Sequence, residues 1–101
     1  MYINTADQIS GVPSSFPGYD LTIGSSGEKI RQLQMQLNRI AQNYPAIPTL
    51  TVDGIYGPRT QDAVRIFQGI FNLPQTGITD YATWYEISDI YVGVSRIAEP
   101  G

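Results

Sequence analysis

The 101-residue sequence predicts an all-α domain: a compact three-helix bundle with an irregular N-terminal arm and long loops. Three observations carry that prediction. Apolar residues recur at the spacing of a buried helical stripe in three separate stretches. Each stretch follows a glycine and, three residues later, a residue suited to a helix start: Gly24 then Gly27, Gly54 then Gly57, Gly77 then Asp80. Proline and glycine punctuate the intervals between them.

The elements follow in order. Residues 1–18 read as a flexible arm, because Pro13, Pro17 and Gly18 forbid regular structure. Ile3, Val12, Phe16, Tyr19, Leu21 and Ile23 are its candidates for lying along the core, with an ordered strap expected from about Pro17. The domain proper is placed at 19–97, with 98–101 as a tail. The first helix is expected from near Ser25 to near Asn43. Ser25-Ser26-Gly27-Glu28 reads as a capping box, and Ile30, Leu33, Leu37, Ile40 and Ala41 form its stripe. Pro45 and Pro48 cannot continue it. A long connection follows, with Leu50-Thr51-Val52 as a short extended piece and Asp53-Gly54 as a tight turn. Pro58 suits the first position of a second helix, where its missing N–H does no harm. Ala63, Ile66, Phe67, Ile70 and Phe71 supply the stripe, ending near Asn72. Asp80 caps a third helix that carries Trp84, Ile87, Ile90 and Tyr91 and is expected to stop at Val92-Gly93-Val94. The expected core is Leu33, Leu37, Ala63, Phe67, Phe71, Trp84 and Ile87.

Composition narrows the function. The formal net charge is −3, which opposes nucleic acid and an anionic membrane surface as partners. No apolar run approaches the ~20 residues of a membrane span. Met1–Ser10 has neither the basic start nor the apolar stretch of a signal peptide, so the expectation is a piece of a longer exported protein. The sequence contains no His and no Cys. That excludes His- and Cys-based nucleophile systems and the ordinary transition-metal sites, so no metal and no cofactor is expected. A two-carboxylate glycosidase remains formally open. Glu28 and Asp80 are better explained as helix caps, and Asp62 and Glu86 as solvated helix faces. Asp53-Gly-Ile-Tyr-Gly lacks the alternating oxygen ligands of a calcium loop.

Several spaced residues then agree with one pattern. Val52-Asp53-Gly54-Ile55-Tyr56-Gly57-Pro58-Arg59-Thr60 runs on to Ala63-Val64 and Phe67-Gln68. Leu73-Pro74-Gln75-Thr76-Gly77, Asp80 and Thr83-Trp84 complete it, and Ile30, Leu33-Gln34 and Leu37-Asn38 precede it. This resembles the three-helix peptidoglycan-binding domain attached to bacterial cell-wall hydrolases, over about Tyr19 to Tyr91. The longer first connection, Asn43–Pro48, and the extended third helix resemble clostridial-type cell-wall and spore-cortex proteins.

The resemblance implies a non-catalytic, extracellular module, monomeric, that binds peptidoglycan or muropeptides and targets an associated hydrolase. The alternatives are an interaction or propeptide-like module packing on a partner domain, or a spore or phage structural component. The candidate ligand site is a groove between the Asp53–Arg59 and Leu73–Gly77 loops. Its residues are Asp53, Tyr56, Gly57, Arg59, Gln68, Gln75 and Thr76. Tyr56 reads equally as core or as ligand contact. Arg59 would meet a ligand carboxylate or a local Asp, and Gln68 would bond the nearby loop or the ligand. Trp84 reads as core, with sugar stacking as the alternative, and Thr60 as a helix-start hydroxyl.

Overall fold

The structure is a computed structural model that describes residues 15–98. Among these residues there are three helices and no strands: α1 (Glu28–Ala41), α2 (Pro58–Ile70) and α3 (Tyr81–Ala98). The all-α bundle therefore stands. The expected flexible start, Ile3 and Val12, and the end of the tail lie outside the described residues. No helix among the described residues is long and apolar enough to cross a membrane.

Helix starts differ from expectation at α1. Gly27 occupies its N-cap with φ 120, and no side chain caps the helix. The Ser25 hydroxyl accepts instead from the Thr22 amide (3.1 Å), and Glu28 pairs with Arg31 at 3.6 Å. The capping box therefore does not form. Only glycine adopts φ 120 without strain, so the turn geometry takes precedence over the cap. α2 starts at Pro58 as its missing N–H predicts. It ends with Asn72 at φ 63, while the Leu73 amide donates to Gln68 O (2.8 Å). That six-to-one bond satisfies a terminal carbonyl and turns the chain into the next loop. α3 is capped by Asp80, whose Oδ1 accepts from the Thr83 amide at 2.9 Å.

α3 runs past Val92-Gly93-Val94 to Ala98. Glycine in a helix costs only about 0.5–1 kcal/mol. Val94, which is buried, repays that cost by packing on the core. The Arg39 guanidinium also reaches Val94 O at 2.7 Å, tying the last turns of α3 to α1.

The core gathers Leu33, Leu37, Ala63, Phe67, Trp84 and Ile87 as expected. Phe71 is half-buried, tilted against Phe67 and edge-on to Tyr44 at 4.6 and 5.1 Å between centroids. Ile70 is exposed, and Val64 takes the buried place in its stead. The strap contributes Leu21, which is fully buried, and Phe16, which packs edge-on to Trp84. Tyr19 and Ile23 face outward instead.

Candidate functional site

The loops that precede α2 and α3 are held by two glutamines. Gln34 on α1 is buried, and its Oε1 accepts from the Asp53 and Gly54 amides at 3.1 and 2.9 Å. Its Nε2 donates to Ile55 O (2.9 Å), to Asp53 Oδ1 (3.1 Å) and to Thr60 Oγ1 (3.2 Å). Gln68 on α2 does the same one loop later. Its Oε1 accepts from the Gly77 amide (2.9 Å). Its Nε2 donates to Ile78 O and Thr83 Oγ1, both at 3.0 Å, and to Thr76 Oγ1 at 3.3 Å.

The two sets match in residue type, the loops at an offset of 23 residues and the gripping glutamines at 34. Asp53-Gly54-Ile55 and Thr60 correspond to Thr76-Gly77-Ile78 and Thr83, and Leu33-Gln34 corresponds to Phe67-Gln68. The chain thus repeats one unit: a helix whose buried amide grips the turn ahead of the next helix. The repeat was legible as apolar-Gln pairs followed by Gly-Ile and a Thr six residues after the Gly.

α1 adds two further grips on the first loop. Asn38 donates to Leu50 O (2.8 Å) and accepts from the Leu50 amide (2.7 Å). Arg31 donates to Val52 O at 3.2 Å. Residues 50–52 belong to no helix or strand, and α1 side chains satisfy backbone groups of Leu50 and Val52 instead.

Tyr56 is completely buried. Its hydroxyl donates to Gly77 O at 2.7 Å and lies 3.0 Å from Thr79 Oγ1. Burial pushes its phenol up to about 12. Tyr56 therefore fills the space between the two loops, where the ligand groove was expected, and presents no ring face. Gln68, buried with its amide fully engaged, belongs to the scaffold as well. Gln75 and Thr76 are exposed on the second loop. Gln75 reaches Arg65 O at 3.4 Å, and Thr76 Oγ1 accepts from the Ile78 amide at 3.0 Å. Trp84 is core, with the Lys29 ammonium 5.5 Å from its ring centroid.

Three residues of the expected site, Asp53, Gly57 and Arg59, come together around one cavity. Asp53, Gly57 and Arg59 line a cavity of about 220 Å³, together with Thr51 and Thr60. Leu50, Ile55 and Pro58 make its walls apolar, and Gln34 lies at its base. Asp53 Oδ1 accepts from the Ile55 amide (3.0 Å) and from Gln34. These hydrogen bonds hold its carboxyl below the usual carboxylate range, so it is ionised at neutral pH. Arg59 sits in the first turn of α2, where a cation opposes the helix dipole. It donates to Thr49 O at 3.2 Å, and among the described residues it has no ion-pair partner. The α2 N-terminus has no side-chain cap and no acidic residue in its first turn. An anion arriving there meets a guanidinium and open backbone amides.

The family model described as "Putative peptidoglycan binding domain" matches residues 26–87. The chain belongs to this peptidoglycan-binding domain family. The matched residues span both glutamine grips and all residues of the cavity. The domain is 44% identical over 68 residues to the zinc D-Ala-D-Ala carboxypeptidase of Streptomyces albus G. It is 43% identical over 51 residues to the N-acetylmuramoyl-L-alanine amidase CwlA of Bacillus subtilis (strain 168). These alignments cover 66% and 48% of this chain, and only 25% and 18% of the relatives. Among solved structures, the SleB N-terminal domain matches 76% of this chain and 99% of its own, with TM-score 0.65 and 31% identity.

Proposed function

We propose that this domain binds bacterial peptidoglycan without cutting it and holds an associated cell-wall hydrolase on its polymer. The family match is the observation that carries this reading. Both curated relatives are hydrolases by name, and the aligned part is a small fraction of each. A module of that kind has its catalytic centre elsewhere in the parent protein and works at the cell wall or spore.

The cavity supports a binding role. Its one carboxylate, Asp53, is stabilised as an anion. A glycosidase needs a second carboxyl with a raised pKa to protonate the leaving group. The site proposed for ligand is this cavity, centred on Asp53, Gly57 and Arg59, while Gln75 and Thr76 lie outside its lining. Weak binding suffices, because tethering to an enzyme on a repeating polymer raises effective concentration.

Co-sedimentation with insoluble peptidoglycan, vegetative and cortex, tests the reading. The domain is expected in the pellet, and no muropeptide should be released. A domain that remains in the supernatant with both polymers would overturn it. In that event, capture of the parent protein's own catalytic domain would favour an intramolecular packing role.

A further inference from the structure

The cavity's size and charges specify more than the polymer. Drug-sized ligands occupy pockets of about 300–1,000 Å³. At about 220 Å³, this cavity encloses one small group, and the rest of a larger ligand would lie outside it. Two charges of opposite sign line it, Asp53 and Arg59. Both bonds to the Asp53 carboxylate given above fall on Oδ1, so Oδ2 is available as an acceptor. Arg59 uses Nη2 on Thr49 O, so Nη1 and Nε are available as donors. Beside Arg59 lies the uncapped start of α2. Arg31, the other cation near Asp53, is itself paired with Glu28 and with Val52 O.

A neutral sugar placed here would hydrogen-bond both groups through its hydroxyls but would neutralise neither charge. A group carrying an ammonium and a carboxylate on one carbon complements both. We propose that the cavity takes the dipolar end of a stem-peptide residue, with the ammonium at Asp53 and the carboxylate at Arg59 and the α2 N-terminus. This rests on the peptidoglycan reading above. Within that polymer, the chemistry fits a diamino dicarboxylic acid, whose far end is such a dipole. Cross-linking converts that amine to an amide, which removes the ammonium, so the site selects stems not cross-linked through it.

Calorimetric titration with four soluble probes tests the assignment. The first is a stem tripeptide ending in meso-diaminopimelic acid. The second and third are the same peptide with its far carboxylate amidated or its far amine acetylated. The fourth is the peptide-free disaccharide. The unmodified tripeptide should bind best, and each modification should weaken binding about tenfold or more, the loss of one charge-assisted contact. Arg59→Gln should erase discrimination against the amidated peptide while keeping that against the acetylated one. Asp53→Asn should do the reverse, and it retains the Oδ1 acceptor that the loop needs. Sedimentation with intact peptidoglycan runs alongside. Equal binding of all three peptides, or preference for the disaccharide, in protein that still sediments would overturn the dipolar assignment and leave the peptidoglycan reading standing. Failure to sediment together with failure to bind any probe would overturn both.

Discussion

Two ionisable residues of the first loop act in opposite directions with pH. Asp53 is held below its ordinary value of 3.8 by the Ile55 amide and Gln34. Below that value the unfolded chain takes up the proton first. The stability Asp53 contributes is thus present above about pH 4 and is lost as pH falls through its folded pKa. Urea unfolding midpoints of Asp53→Asn should accordingly fall less steeply than wild type in that acid window. Tyr56 behaves conversely. Its folded phenol titrates near 12 because burial disfavours the phenolate, against about 10 when unfolded. Between those values the folded state retains the proton, so stability declines as pH rises from about 10 toward 12. At neutral pH, Tyr56→Phe leaves Gly77 O and Thr79 without their partner. The expected cost is about 1–3 kcal/mol by urea denaturation, since a buried acceptor is stranded. Its alkaline slope should be shallower than that of wild type.

Helix positions are the part of this fold that the sequence displays most directly. Pro58 and Asp80 start α2 and α3 by local chemistry that any reader of the chain can see. α1 and the end of α3 show the limits of local signals. Ser25 and Glu28 match a capping box letter by letter, yet Gly27 turns the chain at φ 120, because residues 24–27 must pair with 54–56. Gly93 carries a stop signal that a buried Val94 overrides. Asp53, Gly57 and Arg59, which line the candidate cavity, stand out in the sequence by residue type. The bond of Gln68 to the nearby loop was open to a sequence reading, whereas Tyr56 read equally as core or contact, because whether a polar side chain turns inward depends on partners many positions away. Gly93 offers an element-scale test. It is exposed, lacks positive φ, and a Cβ there would meet nothing within 4 Å. Gly93→Ala should therefore stabilise the domain by about 0.5–1 kcal/mol through helix propensity alone, read as a higher denaturation midpoint.

At the scale of the whole molecule, one core serves all three helices, so they should stand or fall together. Phe67 on α2 is fully enclosed by a cluster that takes Leu33 and Leu37 from α1 and Trp84 and Ile87 from α3. Leu21 of the strap joins the same cluster and pairs its backbone with Thr79 ahead of α3. The domain needs this shared core, because its exposed ion pairs contribute little. Truncating Phe67 removes the largest α2 side chain from that cluster, and Phe67→Ala should cost about 3–5 kcal/mol. Domains of this size have a total of about 5–15 kcal/mol, so the variant should sit near the edge of folding. The single tryptophan makes the cooperativity measurable. Trp84 is only 2% exposed and lies on α3, so its fluorescence reports the core from a helix other than the one substituted. In urea, Trp84 fluorescence and far-ultraviolet circular dichroism should give coincident transitions in wild type, as an all-or-none domain requires. In Phe67→Ala both midpoints should move down by the same amount. A Trp84 transition that stays at the wild-type midpoint while helicity falls would show that α1 and α3 hold together without α2, and that the bundle is not one cooperative unit.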